Sequence, residues 1–214
     1  ALSFQLSAIY NYFSQKHSLS VELFHYHDVW NADYSGNCEL WQHLWKGESL
    51  AFFSYNFQAS RRLSLKTRIG LDWLQYHLHG DNSFSQLSPR INTNVQYQLN
   101  KGMLLWSFNF VNSNHGMDVI NRAMIQVNSH MMEKGMPELK KSHDINTYLY
   151  YMGRFNRLSV SAIGQFRYNH HPVTDDYYLD EANGKIVKTY SNGGNAQYYS
   201  AILALQYKLC KFAN

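Results

Sequence analysis

Apolar and polar residues take turns along most of this chain, and the period is two. Leu2, Phe4, Leu6, Ala8, Tyr10 and Tyr12 alternate with Ser3, Gln5, Ser7, Ile9 and Asn11. The same beat recurs over 19–24, 53–59, 63–73, 91–99, 104–110, 145–151, 158–168 and 199–209. Successive side chains of a strand point to opposite faces, so this pattern predicts strands with one apolar and one polar face. It predicts about nine of them, many about ten residues long or longer. Strands of soluble proteins usually run to about 5–6 residues, whereas a tilted strand needs about 9–11 to cross a bilayer.

The connections add a second regularity. Short turns fall around 14–17, 60–62, 100–102 and 153–156, and long connections around 30–49, 80–86, 112–142 and 171–195. Short and long alternate without exception. An up-and-down antiparallel meander with tight periplasmic turns and long extracellular loops is the layout of an outer-membrane barrel. Lipid offers no hydrogen-bond partners, so only helices or closed barrels can cross it. No apolar run of helix-spanning length occurs, which leaves the sheet. The expectation is therefore an all-β fold, an antiparallel up-and-down meander of about nine long strands, part of a transmembrane outer-membrane β-barrel. Leu65, Ile69, Leu203 and Leu205 should face lipid, and Lys66, Arg68, Asp72 and Arg167 the inner side. Trp30, Trp73, Tyr76, Tyr168 and Tyr207, near strand ends, are expected to form interfacial girdles.

Composition narrows the picture further. The 214 residues are 16% charged and 16% aromatic; a charged fraction of about 25% is usual for soluble domains. The net charge of +4 comes without a run of Lys and Arg, so no nucleic-acid partner is expected. The basic turn residues Arg61, Arg62, Arg154 and Arg157 are expected to face periplasmic water. Cys38 and Cys210 fit neither a disulfide framework nor a zinc site, and no bond between them is expected.

Two stretches carry more than a pattern. Leu87-Ser88-Pro89-Arg90-Ile91 runs into Val95-Gln96-Tyr97-Gln98-Leu99 and an Asn100-Lys101-Gly102 turn. Gly135-Met136-Pro137-Glu138-Leu139-Lys140-Lys141 follows a long loop and leads into a strand, a Gly153-Arg154-Phe155-Asn156 turn and a second strand. The first resembles a recurring strand pair of the C-terminal barrels of TonB-dependent receptors. The second resembles their Gly-Asn-Pro-x-Leu-Lys-Pro segment, matching at Gly135, Pro137, Leu139 and Lys140 and departing at Met136 and Lys141. The resemblance is clearest over 84–209, and the whole of 1–214 reads as one partial barrel region. It implies nutrient uptake across the outer membrane of a Gram-negative bacterium. The implied partners are outer-membrane lipid, an N-terminal plug domain of the full-length protein, the inner-membrane TonB energy-coupling complex acting through that plug, and an unknown extracellular substrate. Family barrels have about 22 strands; with about nine strands and no plug or coupling box, the chain reads as a fragment.

Histidine is the enriched functional residue, with 11 copies. His25 and His27, and His77 and His79, form i,i+2 pairs that share a strand face; His170 and His171 are adjacent. All should lie at extracellular strand ends, with His115 near them. Such a rim could capture a metal or a metal chelate such as haem before transport. The plainer reading is an ordinary interfacial imidazole, and no cofactor is assigned. Asp175, Asp176, Asp180 and Glu181 could suggest a Ca²⁺ loop but read better as a solvated loop, whose hairpin tip is 181–185 with Asn183 and Gly184 supplying positive φ. No Gly-x-Ser-x-Gly elbow, P-loop, Rossmann pattern or His-Glu-x-x-His appears, so no catalytic residue is named. A non-transport barrel for adhesion or assembly, a barrel-borne lipid hydrolase and a soluble β protein remain the alternatives.

Overall fold

The computed structural model describes residues 2–34, 40–78, 83–113, 116, 119, 121–136 and 138–209. Thirteen strands are assigned: β1 Leu2–Phe13, β2 His17–Tyr34, β3 Leu40–Gln58, β4 Leu63–Leu78, β5 Phe84–Leu99, β6 Gly102–Ser113, β7 Met124–Gln126, β8 Met131–Lys134, β9 Ser142–Phe155, β10 Leu158–His170, β11 Val173–Asp180, β12 Lys185–Asn192 and β13 Ala196–Tyr207. Nine of them form one antiparallel sheet in the order β1-β2-β3-β4-β5-β6-β9-β10-β13. These nine are the strands expected from the alternation. They pair as a meander, each with its neighbours in that order, so backbone donors and acceptors are consumed strand by strand.

The two faces are those the sequence assigns. Ile69, Leu203 and Leu205 are 50%, 66% and 63% exposed, and Leu65 is half-buried on the same face. Register aligns the outward positions across the sheet: Phe53 pairs with Ile69, Ile69 with Ile91, Ile91 with Phe110, and Phe110 with Ile145. The opposite rows carry Ser, Asn, Gln and the ionised residues. An aliphatic row this exposed is costly in water and favourable in hydrocarbon.

Three details depart from expectation. The connection 30–49 is largely ladder: β2 and β3 run to 18 and 19 residues, and their pairing reaches Tyr34↔Leu40. The long connections 112–142 and 171–195 are not plain loops. They fold into a second, four-stranded sheet, β11-β12-β8-β7, in which β12 pairs parallel to β8. β7 and β8 carry too few residues to show a period, and β11 and β12 set apolar residues side by side, Tyr177-Tyr178-Leu179 and Ile186-Val187, so alternation missed all four. Within that sheet the hairpin tip at 181–184 is as expected, although only Gly184 has positive φ (60°). Asp180 closes the turn by accepting from the Ala182 N–H and the Asn183 side-chain amide at 3.1 and 2.7 Å.

The third departure concerns the girdle. Trp73, Tyr168 and Tyr207 do face outward, but Trp30 and Tyr76 sit on the inner face. There they join Leu44, Leu74, Leu78 and Phe84 in a cluster at the long-loop end. The cause is parity: one residue's displacement along a strand moves a side chain to the other face, and Tyr76 shares the parity of Asp72 and Leu74.

Gly70 shows how close-fitting this wall is. It pairs with Phe52, and a Cβ there would lie 2.3 Å from the Phe52 ring. Gly70→Ala is expected to lower stability by about 1–3 kcal/mol, read as a reduced urea midpoint of the protein in vesicles. Adding Phe52→Ala should restore most of the loss.

Candidate functional site

The inner face of β2–β5 is a ladder of matched charges. Arg68 donates to Glu22 at 2.5 Å, and its guanidinium lies 3.9 Å over the Phe52 ring. Arg90 donates to Asp72, whose side chain is wholly buried. Lys46 and Glu48 pair at 3.1 Å. Across the sheet Arg167 donates through Nε to Asp144 at 2.9 Å, and Gln165 bonds Asn146 at 2.8 Å. A buried charge is tolerated only when paired; Arg90, Arg167 and Gln165 find their partners on an adjacent strand, Arg68 reaches Glu22 two strands away, and Lys46 and Glu48 pair along β3 itself. Lower on this face, near the short turns, an open hollow of about 880 Å³ is lined by Lys101, Met103, Tyr150, Met152 and Arg154 among others. Arg61, Arg62, Arg154 and Arg157 are exposed at that end.

Every described histidine expected at the rim lies on a strand position of outward parity or just beyond one. His25 and His27 lie mid-strand in β2, with ring centroids 6.1 Å apart. His27 stacks on Phe4 and on Trp45, and Trp45 lies 6.2 Å from His77. His25 and His77 each bond a serine hydroxyl, Ser49 and Ser83, at 2.9 Å. His170 ends β10 and His171 follows it with φ 51°. The structure adds His143, which pairs across the ladder with His170 and lies 5.8 Å from its ring; without register, nothing in the sequence joins residues so far apart. The 13 residues of β10, at about 3.3 Å each and a tilt of about 40°, rise about 30 Å, a little more than an apolar band about 25 Å tall. His143 and His170 therefore mark the upper boundary of the belt, and His17, 2.8 Å from the Tyr55 hydroxyl, belongs to the lower one. The outward indoles Trp73 and Trp106 donate to Ser85 and Thr147 at 2.9 and 3.0 Å, so neither N–H needs lipid as a partner.

His79, His115, Cys38, Cys210 and Pro137 lie outside the described residues. Among the described residues no group of three or more His, Cys, Asp or Glu has the arrangement of a metal site. The remaining motif residues are structural. Gly135 donates to the Asn121 carbonyl at 2.7 Å, and Leu139 is half-buried. The backbone of Lys140 is clamped by the Asn192 side chain through bonds of 2.7 and 3.1 Å, which ties the second sheet to the start of β9.

That second sheet carries an ion cluster that the sequence did not reveal. Lys188 lies 3.5 Å from both Glu133 and Asp175, and the Tyr190 hydroxyl donates to Glu133 at 2.6 Å. Burial, then the Glu133 carboxylate, pushes the Tyr190 phenol up to about 12. Desolvation pulls the Lys188 ammonium down, but Tyr190, Asp175 and Glu133 outweigh it and hold it above the usual lysine range. Asp175 is thus engaged by Lys188 and Asp180 by the turn, the structural uses of two residues considered for Ca²⁺.

No family model and no curated protein matches the chain. Solved structures do. The copper transporter OprC superposes with a TM-score of 0.74 at 10% identity, over 98% of this chain and 36% of that one. The siderophore receptor PirA from Acinetobacter baumannii gives 0.60 at 12% identity, over 97% of this chain and 34% of that one. PirA from Pseudomonas aeruginosa gives 0.50 at 12% identity, over 91% and 41%. The chain thus spans between a third and about two fifths of the length of these structures. At such identity the likeness is one of fold: the nine-stranded meander matches a stretch of the barrel wall of these structures.

Removing Arg90 takes from the buried Asp72 carboxylate its ion pair with that guanidinium. Arg90→Met is expected to cost about 3 kcal/mol, and Arg90→Met with Asp72→Asn clearly less. Denaturant midpoints of the two variants check this.

Proposed function

We propose that this chain forms part of the barrel wall of a TonB-dependent receptor or transporter that takes up a scarce nutrient across the outer membrane. The observation that carries the reading is the division of the nine-stranded sheet into an exposed apolar outer face and an ion-paired polar inner face. The fold shared with OprC over 98% of the chain supports it. On this reading the outer face meets lipid. The inner face meets a plug domain of the full-length protein, which the inner-membrane energy-coupling complex drives. The second sheet stands at the extracellular mouth, where substrate is met. The wall binds and guides and does no covalent chemistry. The names of the matched structures, a copper transporter and siderophore receptors, point to a metal or a metal chelate as the nutrient class.

The test uses the full-length protein that carries this chain. Cell fractionation should recover it with the outer membrane. A strain lacking the gene should grow poorly under metal limitation and regain growth with the intact gene. A copy lacking 173–192, the β11–β12 hairpin, should still reach the outer membrane yet fail to restore growth. A protein found in a soluble fraction, or growth indifferent to the gene under every metal limitation, overturns the reading.

A further inference from the structure

The upper edge of the outward face, from β6 to β10, is basic. His143, His170 and His171 lie in a row, with ring centroids 5.8 Å apart for the first pair and 4.0 Å for the second. Lys140 and Lys141 precede His143, and Lys141 reaches the Leu87 carbonyl on β5 at 2.9 Å. The hydrogen-bond partners of the His143 and His170 rings are neutral: Asn112 for His143, Tyr168 and Asn195 for His170. The carboxylate nearest in sequence, Asp144, has inward parity and is taken by Arg167. Phe110 and Tyr168 flank the row. Basic groups this close repel one another, and partial burial, then His170 and Lys140, holds the pKa of His171 below the usual imidazole value.

We propose that this patch of Lys140, Lys141, His143, His170 and His171 docks the phosphate of a membrane lipid in the leaflet at the long-loop end. Three observations select that occupant. The patch shares the outward face with the lipid-facing rows, so what covers it is membrane. Its height of about 30 Å sets it just above an apolar band of about 25 Å, where headgroups lie. Its charge is complementary to a phosphate, and Lys ammonium and imidazolium groups donate to phosphate oxygens. A cation near an anionic lipid surface adds about fivefold to binding. The phosphate in turn stabilises the protonated imidazoles, so lipid binding takes up protons and tightens as pH falls through the imidazole range.

The inference rests on the barrel reading, and the experiment separates the two. The full-length protein is reconstituted in phosphatidylcholine vesicles with and without phosphatidic acid, extracted gently, and its retained lipid counted by native mass spectrometry. The wild type should retain phosphatidic acid over phosphatidylcholine; with phosphatidylglycerol in its place, whose diester phosphate keeps a single charge across the range, retention should be greater at about pH 5.5 than at about pH 8. Lys141→Gln should cut that preference about fivefold. Lys141→Gln with His143→Gln and His170→Gln should abolish it, while Lys141→Arg keeps it. Unchanged heat-modifiable mobility on a gel confirms that each variant is folded. Equal retention by wild type and triple variant overturns the proposal, and so does displacement of phosphatidic acid by equimolar inorganic phosphate. A protein that never enters vesicles overturns the barrel reading as well.

Discussion

Hydrocarbon gives a peptide group nothing to bond to, and every other feature of this wall follows from that. A strand crossing lipid must hand its N–H and C=O groups to neighbours on both sides. The meander does so by pairing each long strand with the next along nine strands. Once the ladder is fixed, parity is fixed, and each residue is committed either to the fat-soluble face or to the opposite one. The outward indoles of Trp73 and Trp106 and the imidazoles of His25 and His77 then find their polar partners within the wall itself, in Ser85, Thr147, Ser49 and Ser83.

The inner face answers the complementary problem. It carries arginines and carboxylates, and the ladder brings each within reach of an opposite charge: Arg68 with Glu22, Arg90 with Asp72, Arg167 with Asp144. Such a surface is polar with its most buried charges paired, suited to contact with another folded segment as well as with water. Above it the second sheet joins two long connections through one parallel pair and one ion cluster around Lys188. The mouth of the wall is therefore braced, and the Asn192 clamp on Lys140 couples that brace to the top of β9.

Much of this was legible in the sequence, because a period of two over ten residues is hard to produce by chance and directly encodes face. The strand at 63–73 announces both its lipid row and its charged row. What stayed hidden needed register or tertiary context. Glu22 and Arg68 are 46 residues apart, and His143 meets His170 only when two strands are aligned. Trp30 and Tyr76 read as girdle residues because aromatics near strand ends usually are; their parity sends them inward to Leu44 and Leu74. The second sheet was invisible for another reason: β7 and β8 have only three and four residues, and β11 and β12, at eight each, place apolar residues next to one another instead of alternating. The histidines were found, but their outward direction followed only from the strands that carry them.

The most direct test is a nitroxide scan along residues 63–73 of β4 in the reconstituted full-length protein, reading collision with lipid-soluble oxygen against a water-soluble nickel chelate. A barrel wall predicts a strict alternation, with oxygen favoured at Leu65, Ile69 and Leu71 and the chelate favoured at Lys66 and Ser64. Uniform protection from both reagents at Ile69 and Leu71, as in a compact protein interior, would contradict it.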